Sequence, residues 1–303
     1  MVRITDILCP IDFSEVSRHA FDRAVGVARC YDAVIHVLHV LPMSAAVHAV
    51  PVGPEGPGPF RLLDADRILR DLPGFLALEN PIGVSIDYHV LDAPVAHKEI
   101  LVQAQRVSAN LIVMGTHGRS GFERLLLGSV TEKVLRTSSV PVLTVPCRAP
   151  DAVPATRDPF RRILYATDFS ASSEGALRYA ASLAEHGAAK LTILHVVETL
   201  ARIHGAPPDF YFDATGFDAA LEKQARETLP QWVPESVRLG CDTEDLVVRG
   251  VPYAEILRVA SEQQIDLIVL GVHGRNALDR LVFGSTTEQI VRRATCPVLT
   301  IRN

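Results

Sequence analysis

One pattern occurs twice in this chain of 303 residues. Gly115-Thr-His-Gly118 is followed by Gly128-Ser129, and Gly271-Val-His-Gly274 by Gly284-Ser285, so both copies read G-x2-G-x9-G-S. Other matches keep the same offset: Asp12-Phe-Ser14 with Asp168-Phe-Ser170, Leu38-His39-Val40 with Leu194-His195-Val196, and Pro141-Val-Leu-Thr144 with Pro297-Val-Leu-Thr300. The differences 168 − 12, 195 − 39, 271 − 115 and 297 − 141 all give 156. A tandem duplication confines the fold to one that half of the chain builds by itself, at an ordinary domain size. The domains are read as residues 1–146 and 160–303. The segment between them, with Pro150, Pro154 and Pro159, reads as a linker.

Within the first repeat, apolar periodicity and turn residues predict strands over Ile4–Ile11, Ala33–Val40, Val84–Leu91, Leu111–Met114 and Pro141–Val145. They predict helices over Ser14–Tyr31, Leu62–Leu78, His97–Ser108 and Ser129–Arg136. The second repeat follows the same order. The stretches Pro42–Pro59 and Glu198–Phe217, after the second strand of each repeat, read as loops on the ligand side and as candidate lids. Strands separated by helices imply an α/β fold: two doubly wound five-stranded parallel-sheet domains. The assumed strand order 3-2-1-4-5 makes the first and fourth strands neighbours. Asp12 and Gly115, like Asp168 and Gly271, then flank one crevice beyond the strand ends. The short apolar strands Val140–Val145 and Val298–Ile301 invite edge pairing, which predicts a pseudo-two-fold intramolecular dimer.

A strand, a glycine-rich loop and a helix start form an anion-binding arrangement. Glycines 115, 118 and 128 let the backbone approach a ligand, and the first helical amides point forward without partners. Plain structural readings stand beside this one. Ser129 and Ser285 lie three residues before Glu132 and Glu288, which is a capping box. Asp12 and Asp168 could cap the following helix together with Ser14 and Ser170. Arg119 and Arg275 either meet phosphate or lie in solvent. His117 and His273 read as loop side chains near phosphate rather than catalytic bases, and His39 and His195 as local structural residues. His36 and His39, three apart on a strand, face opposite ways and make a poor metal pair.

The net charge of −5 and the lack of a Lys/Arg cluster argue against nucleic acid. The start has no apolar signal core, and no run is long enough to span a membrane. Cys9, Cys30, Cys147, Cys241 and Cys296 are scattered and never form C-x-x-C. They fit a reducing, cytoplasmic setting rather than a disulfide framework or zinc site.

Aspartate at the end of strand one, G-x2-G-x9-G-S after strand four and a closing Val-Pro-Val-Leu strand resemble the universal stress protein family. The glycine motif marks its ATP-binding branch. The resemblance implies ATP, with Mg2+ or Mn2+ as a companion. It places Asp12, Val40, Gly115, Gly118, Gly128, Ser129, Val130 and Thr131 around the first nucleotide. Around the second it places Asp168, Val196, Gly271, Gly274, Gly284, Ser285, Thr286 and Thr287. It agrees with the expected pseudo-dimer and leaves a further homodimer and the protein partner open. Neither repeat shows paired carboxylates or a nucleophile–base pair. The implied function is therefore a nucleotide-dependent stress or signalling regulator with little or no turnover. A slow ATPase or adenylyl-transferring enzyme is the alternative. Pro10-Ile11 and Pro94-Val95-Ala96 in repeat one become Ala166-Thr167 and Gly250-Val251-Pro252 in repeat two, which puts equal affinity of the two sites in doubt.

Overall fold

A computed structural model describes residues 2–42, 65–76, 83–117, 127–147, 159–198, 214–272 and 284–302. The chain divides into two compact units, Arg3–Pro159 and Phe160–Asn303, with Val2 counted in the second.

The first unit runs β1 (Asp6–Pro10), α1 (Glu15–Tyr31), β2 (Val34–Pro42), α2 (Ala65–Phe75), β3 (Ser85–Ala93), α3 (Ala96–Arg106), β4 (Leu111–Gly115), α4 (Ser129–Thr137) and β5 (Val142–Val145). The second runs β6 (Arg162–Thr167), α5 (Ala171–His186), β7 (Lys190–Glu198), α6 (Ala214–Trp232), a short α7 (Glu235–Gly240), β8 (Asp242–Gly250), α8 (Pro252–Glu262), β9 (Leu267–Gly271), α9 (Ser285–Arg293) and β10 (Val298–Ile301). Neighbouring strands within each unit follow the orders β3-β2-β1-β4-β5 and β8-β7-β6-β9-β10. Neighbouring strands within each unit pair in parallel; Ile7, for example, sits between Ile35 and Leu111. The expected order 3-2-1-4-5 is therefore found in both halves.

Burial explains the sequence pattern of the strands. All five residues of β4 are buried, and four of the five in β9. A parallel strand covered on both faces reads as an unbroken apolar run. The edge strands β3 and β8 alternate partly exposed residues instead, as in Ser85-Ile-Asp-Tyr-His. Helices α1 and α5 begin where serine predicts. Ser14 accepts a hydrogen bond from the Ser17 amide at 3.2 Å, and Ser170 from the Ser173 amide at 3.3 Å. Some boundaries move. Strand β2 runs on to Pro42, and the expected second loop stops short of Phe217 because α6 starts at Ala214. The rest of both candidate lids, and most of the linker, lies outside the described residues.

The first unit holds a titratable cluster on the edge side of its sheet. His36 on β2 contacts Asp6 on β1, Nε2 to Oδ1 at 3.0 Å, and its Nδ1 lies 3.7 Å from Asp87 on β3. The His89 ring lies 5.7 Å from that of His36. Burial, and then the His36 imidazole, hold the His89 pKa below its ordinary value, with Asp87 opposing them. The unfolded chain then takes up this proton first as pH falls, so the contribution of His89 is full above about pH 6.5 and declines below it. The urea midpoint of the first unit is expected to fall between pH 7 and 5.5, and His89→Phe to flatten that slope. Circular dichroism at the two pH values checks this, and equal slopes in both proteins would refute it.

Candidate functional site

The turn after the first strand of each unit is strained in the same way. Phe13 and Phe169 both have φ of 61°, an uncommon conformation for a bulky side chain that costs about 1–3 kcal/mol. Local bonds hold it. Asp12 Oδ1 accepts from the Ser14 amide at 3.1 Å and from its hydroxyl at 2.5 Å; Asp168 Oδ1 accepts from the Ser170 amide at 3.1 Å. The serines are the helix caps, and each aspartate braces the turn leading to one. The Phe13 ring packs edge-on against His39 at 4.9 Å and lies 5.0 Å from Phe75. Phe169 stacks on His195 at 4.3 Å and meets Trp232 at 5.5 Å. His39 Nδ1 lies 2.7 Å from the Ile11 carbonyl oxygen, and His195 Nδ1 2.8 Å from that of Thr167, so both are structural residues as expected. No sequence pattern announces the strain. Its one trace is the recurrence of Asp-Phe-Ser at the same offset.

The second junction joins β4 to α4 and β9 to α9. The amide of Gly128 donates to the Thr116 carbonyl at 2.8 Å, and that of Gly284 to Val272 at 3.1 Å. The first helical bonds run from Glu132 to Gly128 and from Glu288 to Gly284. The N-caps are therefore the glycines, without a side-chain cap, and Ser129 and Ser285 are the first helical residues. This corrects the capping-box reading: a glutamate in the fourth helical position cannot reach back to the cap. Glu132 and Glu288 instead pair with Arg136 and Arg292 one turn on. Among the described residues no side chain caps the opening amides of α4 and α9, and such amides can take an outside acceptor.

The role of Gly115 and Gly271 also changes. A Cβ on Gly271 would lie 2.6 Å from Ser172 Oγ and 2.8–2.9 Å from the Ser172 backbone; one on Gly115 would lie 2.7 Å from Val16 Cγ1. These glycines admit the first turn of α5 and α1 beside the strand end. Their carbonyls accept from the helix beyond, Thr131 Oγ1 to Gly115 at 2.8 Å and Thr287 Oγ1 to Gly271 at 3.1 Å. These threonine hydroxyls therefore tie helix to strand, so a ligand would meet main-chain amides and the Ser285 and Thr286 hydroxyls instead.

In the second unit a cavity of about 930 Å³ opens over these junctions, within the ordinary range for small-molecule sites. Asp168, Val196, Gly271, Gly284, Ser285, Thr286 and Thr287 all line it. Gly274, His273 and Arg275 lie outside the described residues, as do Gly118 and Arg119 of the first unit. Asp12, Val40, Gly115, Gly128, Ser129, Val130 and Thr131 occupy the matching places at the strand ends and helix start there. Sequence reading missed the side walls of the cavity, Leu221, Gln224, Ala225 and Thr228 from α6 and Pro252 and Ile256 from α8. Their helical spacing says only that one face is covered, not by what. The described lining carries Asp168, Glu198 and Glu288 but no lysine or arginine. His195 is the imidazole among these residues, and its Nδ1 is engaged by Thr167. An anion here would rest on helix-start amides and the Ser285 and Thr286 hydroxyls.

Comparison with known proteins agrees with the duplication. The model of the universal stress protein family matches residues 4–146 and 159–302. A universal stress protein of Mycolicibacterium smegmatis is 27% identical over 308 residues, covering 98% of this chain and 96% of its own. A universal stress protein from Methanocaldococcus jannaschii is 34% identical over 144 residues, 46% of this chain and 80% of the relative. The crystal structure of a universal stress protein from Archaeoglobus fulgidus has the same fold, with a TM-score of 0.65 at 24% identity, covering 99% of this chain and 97% of that one.

The packing around the strand ends predicts unequal costs. Gly271→Ala drives a methyl group into backbone and is expected to destabilise by about 1–3 kcal/mol. Gly115→Ala meets chiefly the movable tip of Val16 and should cost less. Urea titration of the two variants orders them, and a Gly271→Ala protein as stable as wild type would contradict the packing role.

Proposed function

We propose that this chain, which belongs to the universal stress protein family in both of its halves, binds ATP and acts through occupancy rather than turnover. What most supports the reading is the start of α9: a glycine N-cap, no side-chain cap, and a cavity in front of it. The free amides and the helix dipole favour a phosphate group there. Asp168 lies at the end of β6, where a ribose hydroxyl would find a carboxylate, and the main chain of Val196 would meet the base. The first unit offers the same turn, glycine cap and threonine tie, with Val130 where the second has Thr286.

The fit to a triphosphate is good in size and in donors. A divalent cation accompanying it would be held by phosphate oxygens and water, because no group of three His, Cys, Asp or Glu side chains among the described residues forms a cage. The lining supports binding over chemistry. Ser173 Oγ donates to the Ser170 carbonyl and lies 3.0 Å from Thr167 Oγ1. Nothing in the described lining activates Ser285 or Thr286 as a nucleophile. Among the described residues no helix is long and apolar enough to cross a membrane.

The decisive variant is Ser129→Asp with Ser285→Asp. Aspartate in a first helical turn favours the helix, so folding is retained. Its charge would face the phosphates at roughly 5 Å, where like charges near a protein surface repel by about 3 kcal/mol. Nucleotide released from denatured wild type is expected to be absent from the variant, with affinity lowered about a hundredfold. ATP retained by a folded double variant would overturn the assignment. Single-turnover hydrolysis should run far below about 1 s⁻¹, the lower end of ordinary enzymes.

A further inference from the structure

The wall that α6 contributes to the cavity has chemistry of its own. Leu221, Gln224, Ala225 and Thr228 are spaced i, i+3, i+4 and i+7 and line the cavity together. The Thr228 hydroxyl donates to the main-chain carbonyl of Gln224 at 2.8 Å, which leaves the Gln224 amide as the polar group of this wall with both a donor and an acceptor to offer. Helix α6 packs on β7 and β8, whereas α9 follows β9 on the other side of β6. The two helices therefore lie at opposite ends of the cavity. A nucleotide with its phosphates at α9 has its base at the α6 end.

Resting on the nucleotide reading above, we propose that Gln224 selects the base and favours adenine. A side-chain amide sets a donor beside an acceptor, matching the amino group and adjacent ring nitrogen of adenine. Guanine presents two acceptors on that edge, which an arginine fork suits better.

The first unit differs at this place. Leu72-Pro73 corresponds to Leu229-Pro230: both leucines are fully buried, and Phe75 packs on Phe13 as Trp232 packs on Phe169. Counting back along the helix, Gln224 and Thr228 correspond to Arg67 and Asp71, which lie 3.7 Å apart as an ion pair. A neutral amide and hydroxyl in one unit replace a charged pair in the other. The duplicated chain has kept its phosphate framework twice and changed the wall at the base end.

Trp232, the sole tryptophan, packs on Phe169 and donates to the Tyr165 hydroxyl at 3.2 Å. Its fluorescence therefore reports the second unit. Wild type, Gln224→Leu, Gln224→Arg and Ser285→Asp proteins are titrated with ATP and with GTP. Gln224 is exposed on its helix, so neither substitution threatens the fold, and thermal melts verify this. Wild type should prefer ATP. Gln224→Leu should shrink the ATP-to-GTP affinity ratio about tenfold, as expected for one or two hydrogen bonds. Gln224→Arg should shift the ratio further toward GTP. An unchanged ratio in both Gln224 variants, with binding lost only in Ser285→Asp, overturns Gln224 as the selector and leaves the phosphate site standing. Equal weakening of both nucleotides overturns it as well. Binding of neither nucleotide by wild type brings down the nucleotide reading itself.

Discussion

Each half of this protein depends on a close contact at the end of its fourth strand. Gly271 leaves no room for a side chain because Ser172, in the first turn of α5, sits against its α-carbon. Its carbonyl receives the Thr287 hydroxyl from α9. Gly115, Val16 and Thr131 repeat the arrangement. One residue thus joins a strand to two helices, the one that follows the strained aspartate turn and the one whose first amides face the cavity. A contact of this kind is unforgiving, because backbone cannot retreat as the end of a side chain can.

Parallel topology makes that knot useful. With the strands in the order 3-2-1-4-5, the crossover direction reverses between strands one and four, so their carboxyl ends flank a gap that no connection covers. The turn holding Asp168 and Phe169 stands on one side and the start of α9 on the other. Phe169 keeps its costly left-handed backbone because His195 and Trp232 pack its ring and Asp168 braces the next residues. Strain maintained twice at equivalent positions is the mark of a turn whose shape is needed.

The two halves share this framework and differ in the side chains set on it. The core of β6 carries Tyr165, bonded to the Ser173 carbonyl and to Trp232; β1 has the buried Cys9 there, its thiol pushed far up by burial. Thr286 replaces Val130, and Gln224 with Thr228 replaces Arg67 with Asp71. Backbone geometry thus recurs while side chains diverge. Main-chain contacts tolerate such change because any residue supplies them, whereas side-chain contacts depend on particular residues.

The sequence alone determined the duplication, the alternation of strands and helices and the places where chain meets cavity. These follow from local rules: apolar runs for buried parallel strands, serine before α1 and α5, and glycines at a spacing too regular for chance. Only the tertiary structure decided what the glycines and serines do. Gly271 proved to admit a helix, and Ser285 proved to follow the cap instead of forming it. The left-handed Phe169 and the walls from α6 and α8 were not legible either. Each of these depends on which distant segment lies within a few ångströms, and a residue's neighbours across space are not written in its neighbours along the chain.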